Sequence, residues 1–77
     1  MITNGTEALK FIKNNQDDPF RIEENIDKTL LQLLEDSNQI IIESYPIKNI
    51  HDEIITTQKS YKLSSAGLEI LKVRSLT

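Results

Sequence analysis

The segment 58–71 constrains the fold most, because it contains a strand pattern, a helix start and a helix pattern in direct succession. Apolar and polar residues alternate in its first half, with Tyr61 and Leu63 on one side, as in a half-buried strand. Ser64 or Ser65 can cap a following helix, because a serine hydroxyl accepts a hydrogen bond from an N–H of the first turn. We therefore predict a strand that leads directly into a C-terminal helix.

Short helices separated by polar residues are predicted in the N-terminal half. The first spans 6–15 and begins at Thr6, which can act as its N-cap. Asp18 followed by Pro19 is a second start signal, because Asp caps well and Pro suits the first helical position.

The apolar spacing after Pro19 leaves two alternatives open. One is a single amphipathic helix to about residue 37, and the other is a short helix, a turn and a second helix capped by Asn25 or Asp27. The second alternative is favoured, because Asn and Asp side chains compete for backbone hydrogen bonds inside a helix. Asn38 can then end the helical half in the left-handed conformation.

A β-branched run begins at Ile40 and predicts a strand over 40–45, which Pro46 is expected to end. We expect this strand to pair antiparallel with residues 58–64. The intervening residues are ambiguous, because their isoleucines have helical spacing but the last four residues have the composition of a strand.

Burial expectations follow from the helical stripes. The C-terminal helix contains Gly67, which is a poor helix former and is explained if a side chain there would collide with the sheet.

The predicted core contains one group of leucines from the last N-terminal helix together with apolar residues of the first and last helices: Leu30, Leu33 and Leu34 with Leu9, Ile12 and Leu68.

Composition limits the class of protein. Twelve Ile, nine Leu, two Phe and one Val among 77 residues supply enough apolar groups for one small globular domain over 1–77. No Cys is present and His51 is the one histidine, which excludes a disulfide framework and a Cys or His zinc site within one chain. We therefore expect no cofactor and no enzymatic activity.

The chain begins without a basic region followed by an apolar stretch, and its longest apolar run has three residues. These features predict a cytoplasmic protein without a membrane partner. The charge of −3 is uneven, because residues 1–43 carry net −5 and residues 44–77 carry net +2. Any basic surface for nucleic acid must therefore lie in the C-terminal half.

Two stretches resemble a winged helix-turn-helix domain of the MarR and PadR type. Residues 30–41 resemble the end of a recognition helix that leads into the first wing strand. Residues 61–71 resemble the second wing strand and its entry into the closing helix. The resemblance implies an α+β, winged-helix-like domain with three N-terminal helices, a two-stranded antiparallel wing and a C-terminal helix.

The resemblance implies a small DNA-binding transcriptional regulator that acts as a homodimer. The alternative is a winged-helix-like module that binds protein and not DNA. The helix at the recognition position is acidic, and the segment between the wing strands is rich in Ile, which both favour the alternative. The residues that could contact nucleic acid lie on that helix and near the wing: Lys28, Thr29, Gln32, Lys48, Lys59 and Lys62.

A second set of candidates lies in the Ile-rich segment between the predicted strands. An exposed cluster of isoleucines marks an interface, whereas a buried one would extend the core. We predict that the cluster contributes to contact with a second copy or a protein partner. Its members are Ile47, Ile50, Ile54 and Ile55.

Overall fold

Three helices, a β-hairpin and a final helix follow one another in a computed structural model that describes residues 1–75. The α+β architecture predicted from the sequence is confirmed, with three N-terminal helices, a two-stranded antiparallel sheet and a C-terminal helix. The elements are α1 (Gly5–Asn14), α2 (Pro19–Asn25), α3 (Lys28–Asp36), β1 (Ile40–Lys48), β2 (Ile54–Leu63) and α4 (Ser65–Ser75).

The first helix begins earlier than predicted. The Asn4 side chain caps α1, because its Oδ1 accepts from the N–H groups of Thr6 and Glu7 at 2.9 and 3.2 Å. The prediction of Thr6 as the cap was therefore wrong. Asn is as good an N-cap as Ser or Thr, and here it occurs two residues earlier.

Residues 19–36 form two helices and not one. Asp18 caps α2 as predicted, with its carboxylate accepting from the Arg21 N–H at 3.1 Å. Ile26 has an extended backbone, and Asp27 then caps α3 by accepting from the Leu30 N–H at 3.3 Å. A tertiary contact stabilises the extended backbone between α2 and α3, because Ile26 pairs with Ile2 as an isolated parallel bridge.

The hairpin is longer than predicted. Its strands pair from Ile40↔Leu63 to Ile47↔Thr56, so β1 continues through Pro46. The prediction that Pro46 ends the strand was wrong, because a strand edge tolerates Pro where the missing N–H would face outward. The ambiguous segment 46–57 therefore forms the outer half of the hairpin and its turn.

The turn at the hairpin tip is held by one asparagine. The Oδ1 atom of Asn49 accepts from the N–H groups of His51 and Glu53 at 2.9 and 3.0 Å. Asp52 has a φ of 63°, a left-handed conformation that Asp tolerates better than most residues. A register shift between Ile47 and Lys48 accompanies the turn.

The core lies between the helices and the inner end of the hairpin. Leu9, Ile12 and Leu34 are buried as predicted, and Leu30 packs against the core in part. Leu33 and Leu68 were predicted to be buried, but they are 57% and 45% exposed. Leu31 and Leu71 are buried on the same helices, because tertiary packing turns the buried stripes of α3 and α4 away from Leu33 and Leu68. The remaining buried apolar residues are Ala8, Ile22, Ile26, Leu31, Ile40, Tyr61, Leu63 and Leu71.

The start of α4 is joined to the start of β1. Ser64 is the cap, since its Oγ accepts from the Gly67 N–H at 3.0 Å and donates to the Asn38 carbonyl at 2.5 Å. Asn38 has a φ of 59°, which confirms the predicted left-handed end of α3. The Ser64 N–H also donates to the Gln39 carbonyl at 3.0 Å. These contacts determine where the hairpin leaves the helices.

Candidate functional site

The outer half of the hairpin projects from the helices. We call residues 44–59 the arm. The described chain measures 53 × 25 × 20 Å, and this elongation reflects the arm. Buried hairpin residues lie at its inner end, at Ile40, Tyr61 and Leu63, whereas all arm residues except Asn49 are exposed. The two strands therefore hold each other in the arm without support from the core.

The face of the hairpin that points away from the helices carries apolar side chains. Strand residues alternate between faces, and cross-strand partners share one face. Because Ile40 and Tyr61 face the core, the opposite face of β1 presents Ile41, Tyr45 and Ile47. Polar partners accompany them on the same face of β2: Thr56, Gln58, Ser60 and Lys62.

The isoleucines predicted as an interface all lie on the arm and are all exposed. Ile50, at the tip, is 93% exposed, and Ile54 and Ile55 are 63% and 65% exposed. Ile47 is 40% exposed. Tyr45, at 50%, belongs to the same surface but was not predicted. The signal for it was the spacing of two residues between Tyr45 and Ile47, which the expectation of a strand end at Pro46 concealed.

Most charges on or beside the arm are paired within the chain. Lys62 contacts the Glu43 carboxylate at 3.2 Å, and Lys48 contacts Asp52 at 3.4 Å. The Tyr45 hydroxyl also donates to Glu43, and this bond and the Lys62 ammonium hold the pKa of the Glu43 carboxyl below its usual value. The same bond raises the pKa of Tyr45. Lys48 and Lys62, two of the predicted nucleic-acid contacts, are thus occupied by carboxylates.

Two arm charges of opposite sign are left unpaired. Glu53 and Lys59 are both exposed, and neither forms an ion pair with any residue in 1–75. Lys48 and Lys59 balance Asp52 and Glu53, so the arm has no net charge with His51 neutral. The net charge of −3 therefore resides in the rest of the chain.

A cleft of about 270 Å³ lies where the hairpin meets the helices. At its wall, the buried Tyr61 hydroxyl donates to the Glu23 carboxylate at 2.7 Å and links β2 to α2. Burial and this hydrogen bond both raise the pKa of Tyr61. The cleft brings together three of the predicted nucleic-acid contacts, Lys28, Gln32 and Lys59.

The exposed face of α3 offers few groups for a DNA groove. The Gln32 amide donates to Glu35 and Asp36 at 3.2 and 3.0 Å, so its donors are engaged by carboxylates of its own helix. Thr29 is exposed on the same helix but does not line the cleft. Lys28 forms no ion pair within residues 1–75.

Within 1–75, no group of three His, Cys, Asp or Glu side chains is arranged to hold a metal ion. None of the helices described has the length and apolar character needed to cross a membrane. Comparison with known protein families, with curated proteins and with solved structures found no match to this chain.

Proposed function

We propose that this chain is a winged-helix-like protein-interaction module whose arm is the binding element. The observation that carries the proposal is the exposure of Ile47, Ile50, Ile54 and Ile55 on one projecting hairpin. Clustered exposed apolar side chains are typical of interaction sites, whereas scattered ones are normal on any surface.

The electrostatics of the arm support a protein partner. Glu43 and Asp52 neutralise the lysines nearest to them, and the arm has no net charge. A surface that binds the nucleic-acid backbone needs uncompensated positive charge. A neutral apolar surface with a polar rim instead resembles the core of a protein–protein interface, where charged residues are depleted.

The test is affinity capture with the full chain and an arm variant. Ile54→Thr combined with Ile55→Thr removes apolar surface but keeps β-branched side chains that favour a strand. We expect proteins captured by the parent chain to be lost with this variant. Circular dichroism checks that the variant remains folded.

Val73→Thr is the matched control, because Val73 is 55% exposed and lies on α4, outside the arm. The control should capture the same proteins as the parent chain. Equal capture by the parent chain and the arm variant would contradict the proposal.

The second candidate function is the DNA-binding regulator implied by the winged-helix resemblance. One observation favours it, since Lys28 and Lys59 line the same cleft and neither has a carboxylate partner among residues 1–75. A heparin column run from about 50 mM salt upward tests this function. Retention that falls steeply with salt and is lost in Lys28→Gln with Lys59→Gln would support DNA binding, whereas passage without retention would exclude it.

A further inference from the structure

We propose that the cleft between the hairpin and α3 holds an acidic side chain of the protein that binds the arm, with Lys28 and Lys59 contacting its carboxylate. This inference rests on the proposed function and states the chemistry of the partner. Three observations carry it, namely two unpaired ammonium groups in the cleft, the apolar walls beside them and the continuity of the cleft with one face of the arm.

Two of the four side-chain donors that line the cleft are engaged within the chain. Tyr61 donates its hydroxyl proton to the Glu23 carboxylate at 2.7 Å, and the Gln32 amide donates to two carboxylates of α3. The other two donors are Lys28 and Lys59, and neither forms an ion pair or a side-chain hydrogen bond within residues 1–75. Two lysines against Glu23 give the lining a net charge of +1. A carboxylate is therefore the complementary group.

The cleft has apolar walls and a volume that suits a single side chain. Leu31, Ile42 and Tyr61 line it, and its volume is about 270 Å³. This volume lies just below the range of about 300–1,000 Å³ for pockets that enclose drug-sized ligands. An Asp or Glu side chain can enter with its methylene groups against the apolar walls and its carboxylate toward the lysines.

One carboxylate fits the surroundings of the cleft better than a nucleic-acid strand does. Glu35 and Asp36 follow Gln32 on α3, and residues 1–43 carry net −5. A phosphate backbone would bring repeated negative charge along this surface, whereas a protein segment brings a single carboxylate to the two lysines. Charge complementarity therefore favours a protein partner.

The cleft continues onto one face of the arm. Alternate residues of a strand share a face, and so do cross-strand partners. Ile42 lines the cleft, and Lys48, six residues further along β1, lies on the same face. Because of the register shift, the partner of Lys48 is Ile54, and Ile55 has none. Ile54, which is 63% exposed, therefore lies on the face of the arm that leads to the cleft.

The spacing along this face predicts the pattern of the partner segment. Lys59 pairs with Ser44, and Ile54 pairs with Lys48. Ser44 and Lys48 are four residues apart on β1, which corresponds to ~14 Å. An extended segment of the partner covers that distance in about four residues. We therefore expect an acidic residue about four positions from an apolar one.

Selection from a phage-displayed library of random peptides tests this inference with the full chain as bait. We expect the selected peptides to be enriched in an acidic residue about four positions from an apolar residue. Selection on Lys28→Gln with Lys59→Gln should lose the acidic preference. Selection on Ile54→Thr with Ile55→Thr should lose the apolar preference. Circular dichroism establishes that each variant is folded.

The selected peptide of highest affinity then allows a double-mutant cycle by isothermal titration calorimetry. Replacing its acidic residue with the corresponding amide should raise the Kd for the parent chain about fivefold or more. The same replacement should leave the Kd for Lys28→Gln with Lys59→Gln unchanged, because the carboxylate has no ammonium partners there.

Lys10→Gln with Lys13→Gln is the matched control. Both residues are exposed on α1 and form no ion pair within residues 1–75, and their replacement changes the net charge by the same amount. This control should bind the peptide like the parent chain and should keep the acidic preference.

The inference is overturned if the selected peptides show no acidic preference, if the variant at Lys28 and Lys59 keeps that preference, or if the α1 control loses it equally. Peptides that require Ile54 and Ile55 but contain no acidic residue would overturn the inference and leave the proposed function intact. Selection of no peptide would also overturn it, and heparin retention that requires Lys28 and Lys59 would then assign the two lysines to nucleic acid.

Discussion

Gly67 lies so close to the backbone of Gln39 that a Cβ at position 67 would stand 1.9 Å from the Gln39 carbonyl oxygen. That oxygen also accepts a hydrogen bond from the Ser64 N–H at 3.0 Å, and it directly precedes β1. It cannot move away without disturbing the junction between α4 and the hairpin. The sequence prediction of close packing at Gly67 is thus explained by contact with the backbone entering the sheet.

Gly67→Ala should therefore destabilise the chain, whereas Gly5→Ala should stabilise it. Forced overpacking at Gly67 should lower the free energy of unfolding by about 1–3 kcal/mol. Gly5 begins α1, and nothing lies within 4 Å of the added Cβ, so alanine should raise stability by about 0.4–1 kcal/mol through the unfolded state. Urea unfolding measures both, and equal shifts would contradict the contact at Gly67.

Tyr61→Phe should weaken the junction between the hairpin and α2. The variant loses the hydrogen bond to the Glu23 carboxylate, and we expect the free energy of unfolding to fall by about 1–2 kcal/mol. Tyr45→Phe is the control, because the half-exposed Tyr45 side chain donates its hydrogen bond to Glu43 at the surface, and its loss should change the free energy of unfolding less than Tyr61→Phe does. A larger effect at Tyr45 than at Tyr61 in urea unfolding would contradict this assignment.

The raised pKa of Tyr61 predicts a loss of stability in alkaline solution. An unfolded tyrosine ionises near pH 10, whereas the folded chain keeps the Tyr61 hydroxyl protonated to higher pH. The stabilisation is therefore complete below about pH 10 and is lost as the pH rises through the folded-state pKa. Urea midpoints measured from pH 9 to 12 should fall more steeply for the parent chain than for Tyr61→Phe. Parallel curves would show that Tyr61 contributes nothing to the alkaline transition.

Two leucines of α3, Leu31 and Leu33, should respond differently to replacement by alanine. Leu31 is 5% exposed and Leu33 is 57% exposed. Leu31→Ala should lower the free energy of unfolding by about 2–5 kcal/mol, because it leaves a cavity in the core. Leu33→Ala should change it by less than about 0.5 kcal/mol. The reverse order of urea midpoints would place the other face of α3 against the core.

Position 38 should tolerate some residues better than others, because its backbone is left-handed, with a φ of 59°. Asn38→Ala should lower the free energy of unfolding by about 1 kcal/mol, since alanine tolerates the left-handed region poorly. Asn38→Gly should be close to neutral, because glycine is the usual residue at such helix ends. Both variants retain the backbone carbonyl that accepts from Ser64. If alanine and glycine gave the same thermal midpoint, the backbone conformation would not be the cause.

Local signals in the sequence were sufficient for several elements of this fold. Asp18 with Pro19, and Ser64 before α4, act through hydrogen bonds within a few residues, so a short window of sequence contains the cause. The left-handed Asn38 is of the same kind. The α+β class follows from these boundaries together with the β-branched run at Ile40.

Features that depend on distant contacts were not accessible from the sequence. The choice of Leu31 over Leu33 for the core depends on how α3 packs against other elements, and both leucines fit an amphipathic stripe. The length of the hairpin was missed because the arm residues are exposed, so no burial pattern marks them as strands. The surface isoleucines were identified, but whether they bind a second copy, another protein or neither stays a prediction, as does DNA binding by Lys28 and Lys59.

The length of the arm separates its tip from the net negative charge of residues 1–43. A strand rises about 3.4 Å per residue, so Ile47 lies ~24 Å along β1 from the buried Ile40. The Debye length at physiological ionic strength is about 8 Å, and the field of residues 1–43, which carry net −5, is therefore largely screened at the tip. The rate at which a partner associates with the tip should therefore depend on salt through the charges of the arm alone. Adding or removing carboxylates on α1 to α3 should leave those rates unchanged.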